Sequence, residues 1–298
     1  MDSLRSQRPL RFISPTSEQQ SLPTNTRHAG GRGPCAIMRL APPDPAPYAE
    51  AMTTAAALII GDEILSGKVR DANGPLLIEL LRDLGVRLER LVVLGDEVAE
   101  IAAEVRSCSE RYDAVVCSGG IGPTHDDRTV AAVAGAFGVK VVSDPEVAAM
   151  IRAWWGDHFT EAALRMADVP EGARLIHGDD GLLPVVVFRN VYLLPGVPRL
   201  FEVKLDALRA ELSGQRPQLR SLYLRCDESR IAPQLAEVDS EFPEVAIGSY
   251  PQVEAADHRI WVTVEALDGD VLDRAVARLL ELLPAEVVVR VERPPSPD

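Results

Sequence analysis

Between residues 55 and 137 the chain repeats one pattern three times: a short strand-like apolar run, a polar loop, then a segment of helical period. The runs at 55–60, 88–94 and 114–117 have the length of buried strands. Leu76, Leu77, Leu80, Leu81 and Leu84 lie at helical spacing, with Gly85 placed to stop the helix. The segments 98–111 and 129–137 carry the same periodicity. Strands alternating with helices build parallel βαβ units, so the chain is expected to form a doubly wound, mostly parallel α/β sheet. In such sheets ligands bind in the loops that follow the strands.

Helical segments are expected at 147–155, 160–167 and 200–212, with strands at 185–188 and 191–194 around an Arg189-Asn190 turn. Beyond residue 216 the rhythm changes to strand, helix, strand, strand, helix, strand (219–225, 228–240, 245–250, 259–266, 271–283, 286–291). That order is the ferredoxin-like split βαβ pattern. The expected organisation is a disordered leader at 1–52, an α/β domain at 53–214, a small α+β domain at 216–292 and a disordered tail at 293–298. The leader is rich in Pro, Ser, Arg and Gly and has no apolar periodicity, so it cannot bury enough surface to offset chain entropy. Met38 or Met52 could each begin the folded protein.

The net charge of −14 argues against a general nucleic-acid binder, which needs a basic footprint. No apolar run approaches the roughly 20 residues of a spanning helix. Cys35, Cys108, Cys117 and Cys226 show no zinc or disulfide spacing, and Cys117 ends an apolar run, which suits a buried free thiol. A cytoplasmic protein with neither nucleic acid nor membrane as partner is the expectation.

The segment Ser118-Gly119-Gly120-Ile121-Gly122-Pro123-Thr124-His125-Asp126-Asp127 follows a strand and precedes a helix. Glycines there let backbone N–H groups converge on an anion at a helix start, with Ser118 and Thr124 adding hydroxyls. Carboxylates beside an anion repel it unless they hold a cation. Gly61-Asp62-Glu63 through Lys68, Arg70, Asp71 and Asn73 is a second polar loop, in which Asp62, Glu63 and Asp71 could ligate a cation while Lys68 and Arg70 pair with phosphate. Asp71 could equally cap the next helix. Gly95-Asp96-Glu97 is a third such turn, and Pro195-Gly196-Val197-Pro198 suggests a rigid pocket wall. His125 is the histidine inside a candidate site.

These motifs, in this order from residue 55 to 212, resemble the molybdopterin-binding-like fold of molybdenum-cofactor proteins, and within it the N-terminal domain of the CinA family. The likeness is strongest to the corresponding domain of eukaryotic FAD synthases, and Gly248-Ser249-Tyr250-Pro251 resembles the region that follows in that subgroup. The resemblance implies a phosphate held by the loop glycines and required acids at the positions of Asp127 and Asp96. It also implies metal-dependent hydrolysis of a nucleotide pyrophosphate such as FAD or ADP-ribose, and assembly as a homo-oligomer. Two departures stand out: Gly181-Leu182-Leu183-Pro184-Val185 replaces a Gly-Thr-Ala-Pro-Gly segment of many members, and Asp126 stands where cofactor-synthesis relatives often have a basic residue.

The expected site therefore has Asp127 and Asp96 as catalytic acids, and Asp62 with Asp127 on a divalent metal (Mg²⁺, Mn²⁺ or Co²⁺). Ser118, Gly119, Gly120, Gly122, Thr124, Lys68, Asn73, Pro195 and Gly196 are expected to bind the phosphorylated ligand. The alternatives are a molybdopterin-binding protein of molybdenum-cofactor metabolism and a non-catalytic nucleotide-binding module.

Overall fold

The computed structural model describes residues 53–178 and 180–293. The leader at 1–52 lies outside the described residues, as does the tail apart from Arg293.

The first part is built on a six-stranded sheet, order β2-β1-β3-β8-β7-β6. Its strands are β1 (Thr54–Ile60), β2 (Arg87–Leu94), β3 (Ala114–Ser118), β6 (Arg174–Ile176), β7 (Val185–Phe188) and β8 (Val191–Leu194). β2, β1, β3 and β8 run parallel; at one edge β7 runs antiparallel to β8, and β6, antiparallel to β7, returns to the common direction. Alternation along each central strand serves two cores. Ala55, Ala57, Ala114, Val116, Tyr192 and Leu194 face one side. Ala56, Leu58, Ile60, Val115, Cys117, Val191 and Leu193 face the other. Helices α2 (Asn73–Asp83) and α6 (Pro198–Glu211) cover the first face. Helices α3 (Val98–Arg111) and α4 (Thr129–Phe137) cover the second. The leucines at helical spacing do this work: Leu77, Leu80 and Leu81 are buried, each contributing about 1.5–3 kcal/mol of apolar burial.

A short α1 (Asp62–Leu65) occupies the loop after β1. A third apolar cluster joins α5 (Pro145–Trp155) to the following turn through Val147, Ile151, Ala163 and Ala167. Asp144 starts α5, its Oδ1 accepting the N–H groups of Glu146 and Val147 at 2.9 and 3.0 Å. The segment expected as an α-helix at 160–167 is instead a 3₁₀ helix, Glu161–Ala167. Three-residue strands β4 (Val141–Ser143) and β5 (Asp168–Pro170) pair beside it, too short to carry a periodic signal.

The second part is a four-stranded antiparallel sheet, order β10-β11-β9-β12, from β9 (Gln218–Leu224), β10 (Ala246–Pro251), β11 (Ile260–Ala266) and β12 (Val288–Glu292). Helices α7 (Ala232–Glu241) and α8 (Gly269–Leu282) pack on one face. A 3₁₀ turn, Glu228–Arg230, precedes α7 where a single helix from 228 was expected. The buried cluster of this sheet runs from Leu222 to Val287 and includes no residue of the first part. No helix of the described residues is long and apolar enough to cross a membrane.

Candidate functional site

The parallel strands β1, β2, β3 and β8 all end at one edge of the sheet. The chain steps from β1 outward to β2 and then back across β1 to β3, so the crevice above β1 and β3 is the switch point of the fold. Backbone pairing continues into the loops there: Gly61 N–H donates to the Leu94 carbonyl at 3.0 Å and Gly119 N–H to the Leu194 carbonyl at 3.1 Å.

Two of these glycines are required by their surroundings. Gly119 has φ +103°, and a Cβ would stand against the Ile60 carbonyl; Gly120 has φ +66°, where a Cβ would meet the Thr129 hydroxyl. Thr129, the first residue of α4, locks the turn: its Oγ1 donates to the Gly119 carbonyl at 2.7 Å and its N–H to the Gly120 carbonyl at 2.9 Å.

The loop forms one wall of a cavity of about 640 Å³. Of the expected ligand-binding and catalytic residues, Gly119, Gly120, Gly122, Asp96, Asp127, Pro195 and Gly196 line it. The remaining expected residues do not. Ser118 is 1% exposed beneath the loop, accepting from Asn73. Asn73 is buried as well, and its Nδ2 holds Ser118 Oγ and the Gly196 carbonyl, each at 2.8 Å. Both side chains brace the loops here, while the buried Asn73 Oδ1 has no hydrogen-bond partner. Thr124 is exposed, and its N–H and Oγ1 donate to Asp127 Oδ2 at 2.7 and 2.6 Å. Lys68 and His125 are exposed and stand outside the lining. Asp71 takes the capping role: its Oδ1 accepts the N–H groups of Asn73 and Gly74, the first of α2, at 2.9 and 3.1 Å.

Asp62 and Asp96 stitch two loops together. Asp96 Oδ2 accepts the Asp62 N–H at 3.0 Å, and Asp62 Oδ1 accepts the Asp96 N–H at 3.4 Å. Asp62 does not line the cavity; its neighbour Glu63 does. One oxygen of each expected metal ligand is engaged by its own loop, Asp62 Oδ1 by the Asp96 N–H and Asp127 Oδ2 by Thr124. Among the described residues no group of three or more His, Cys, Asp or Glu is gathered for a metal.

Several lining residues were not among those expected to bind the ligand. Trp154 and Trp155 come from the end of α5, stacked edge to face with centroids 4.9 Å apart, and Trp154 is 58% exposed. Met166 and Asp168 come from the adjoining 3₁₀ turn and β5. Burial pushes the Asp168 carboxyl above its ordinary range, against the pull of Arg165. Leu182, Leu183, Pro184 and Val185 line the cavity from the stretch that leads into β7. Lys204 of α6 lines it too, buried and paired with Asp180 at 2.7 Å. A lysine inside the apolar stripe Phe201, Leu205, Leu208 was the readable clue to that last residue.

The cavity thus joins a glycine loop, five carboxylates (Glu63, Asp96, Asp126, Asp127, Asp168) and an apolar, aromatic wall. It can hold a ring by its faces and a phosphate by backbone.

Comparison with known proteins matches residues 56–214 to the family described as probable molybdopterin binding domain, and residues 216–292 to the FAD synthase middle domain. A probable FAD synthase of Caenorhabditis elegans is 34% identical over 79% of this chain and 51% of its own length. A CinA-like protein of Myxococcus xanthus is 32% identical over 74% of this chain and 56% of its own. The chain therefore spans about half the length of these relatives. Among solved structures, the CinA protein of Thermoplasma acidophilum, described as of unknown function, superposes with a TM-score of 0.50 at 34% identity, over 53% of this chain and 97% of that one.

Proposed function

This chain belongs to the probable molybdopterin binding domain family, and from that premise we propose that its cavity binds a phosphorylated heteroaromatic compound and hydrolyses a phosphoric anhydride within it. The observation that carries the reading is the glycine loop at Gly119–Gly122 set on the wall of an apolar, tryptophan-bearing cavity rimmed by acids. The FAD synthase name of one relative makes FAD a substrate to try, and the resemblance to the CinA family adds ADP-ribose.

A pure binder of anions gains nothing from five neighbouring carboxylates, which repel phosphate. Magnesium is commonly held by one or two carboxylates plus substrate phosphates rather than in a protein cage. Asp96, Asp126 and Asp127 on the cavity wall suit a divalent cation that enters with the ligand. Such a cation would neutralise phosphate charge and make bound water acidic. Asp127 Oδ2 is engaged by Thr124, which leaves Oδ1 as the oxygen to meet it. Asp96, steadied by the Asp62 carboxylate on its N–H, would orient the attacking water and take its proton. Gly119 and Gly120 would let backbone approach the phosphate.

A second reading, binding of a pterin or nucleotide without hydrolysis, is favoured by one observation: the acids are not gathered into a ready metal site. The deciding experiment offers FAD, ADP-ribose and NAD to the purified protein with and without Mg²⁺, Mn²⁺ or Co²⁺. Metal-dependent release of AMP is expected. Binding without AMP release from any of them would leave the second reading.

A further inference from the structure

Lys204 is the one basic residue among the described residues that line the cavity. It sits on the buried stripe of α6 with Phe201, Leu205 and Leu208, and is 5% exposed. Lysine is almost never so buried unless paired. Its Nζ donates to Asp180 Oδ2 at 2.7 Å, and Asp180 is itself set by the Leu182 N–H on Oδ1 at 2.8 Å. A buried ion pair is seldom worth more to stability than apolar side chains of the same volume. A purely structural role therefore gives little reason to place an ammonium on the cavity wall.

We propose that Lys204, held in place by Asp180, is the specificity residue of this cavity and donates a hydrogen bond to a ring carbonyl of a fused heteroaromatic ligand, of the flavin, pterin or 6-oxopurine class. This rests on the reading that the ligand's phosphate lies at Gly119–Gly122. The turn at Gly196 lies against Gly119, a Cβ on Gly196 coming within 3.1 Å of the Gly119 Cα. Lys204 stands six residues beyond Pro198, about 9 Å further along the helix. Its ammonium is fixed by Asp180, whose other oxygen takes the Leu182 N–H, so it stands at the Leu182–Leu183 side of the lining. There a ring is held by its faces, and its edge is what remains to be read.

The charge state of the pair selects the atom that is read. Asp180 offsets the positive charge of Lys204, so the pair is a poor site for a second phosphate but keeps its N–H donors. An ammonium has three donors and no acceptor. Facing a carbonyl it forms a charge-assisted hydrogen bond, roughly twice as strong as a neutral one. Facing the 6-amino group of adenine it sets donor against donor.

The test is calorimetric binding, in Mg²⁺, of IMP and AMP, which present a carbonyl and an amino group at the 6-position, with inorganic pyrophosphate as the probe of the phosphate end. The wild type is expected to bind IMP about tenfold or more tighter than AMP, since a site built to bond one group leaves its donor unpaired against the other. Lys204→Met should bring the two within about twofold and leave pyrophosphate binding unchanged. Equal binding of IMP and AMP by the wild type would overturn the proposal. So would a Lys204→Met loss for pyrophosphate as large as that for IMP, which would make the ammonium an anion site. Should Lys204→Met not fold, the wild-type preference alone decides. If the wild type binds none of the three, the phosphate-loop reading falls and takes this proposal with it. Pyrophosphate binding without an IMP preference overturns this proposal alone.

Discussion

Asn73 and Gly196, 123 residues apart, are joined by a 2.8 Å hydrogen bond from the Asn73 Nδ2 to the Gly196 carbonyl. The same amide donates to Ser118 Oγ at 2.8 Å. One buried side chain at the start of α2 thereby sets the loop after β3 against the loop after β8, and these are two walls of the cavity. Asn73→Ala should leave the Gly196 carbonyl and Ser118 short of a donor, at about 1–3 kcal/mol. Asn73→Asp, which cannot donate when ionised, should do no better. Urea denaturation and ligand titration on each variant would check this: both stability and affinity are expected to fall, while a loss of affinity with unchanged stability would mean Asn73 touches the ligand.

Gly120→Ala should weaken phosphate binding out of proportion to its effect on the fold. The left-handed backbone costs a non-glycine residue about 1–2 kcal/mol, and the new methyl would push on the Thr129 hydroxyl that ties down the turn. Gly119→Ala should be worse, because its methyl would meet the Ile60 backbone carbonyl, which cannot step aside. Pyrophosphate titration beside thermal melting separates the two variants.

Asp127→Ala should abolish hydrolysis if the proposed activity is right, by a hundredfold or more, the scale on which single electrostatic contacts act in catalysis. It removes both the acceptor of the Thr124 N–H and hydroxyl and the oxygen offered to a cation. Thr124→Val removes only the hydroxyl bond and should retain most of the rate. AMP release under single-turnover conditions reads both. Equal losses would reduce Asp127 to a prop of the loop.

The Lys204–Asp180 pair should show strong coupling in stability. Removing Asp180 alone leaves a buried ammonium without its carboxylate, at about 3–5 kcal/mol. Replacing both partners by apolar residues, Lys204→Met with Asp180→Leu, should recover most of that loss. A double-mutant cycle in urea measures the coupling, and additive losses would argue that the pair is not formed in solution.

Cys108 should make the fold sensitive to alkali. Burial, with the hydrogen bond to Glu104 adding to it, pushes its thiol from an ordinary 9.0 to about 11. Burial also raises Cys117. The neutral thiol is the form the fold favours, so its contribution is complete below the unfolded value near 9 and is lost as pH rises through about 11. Two pKa units correspond to about 3 kcal/mol. Stability should therefore drop between pH 9 and 11, and Cys108→Ala should drop less; parallel curves would exclude Cys108 as a source.

The amino-acid sequence by itself determined the architecture and the place of the loop. The βαβ units are written in local signals: short uninterrupted apolar runs for the buried strands, and a spacing of three to four for Leu77, Leu80 and Leu81. The glycines at 119 and 120 mark a turn whose backbone few other residues accept. What the tertiary structure alone decided is which polar groups face the cavity. Ser118, Asn73 and Thr124 have the right chemistry for a ligand, yet packing turns them to one another or to Asp127. The tryptophans of α5, Asp168 and Lys204 enter the lining from segments distant in sequence. Local pattern says which residues prefer to be buried. It cannot say against what they are buried, because that depends on groups brought together across tens of residues by the closing of the fold.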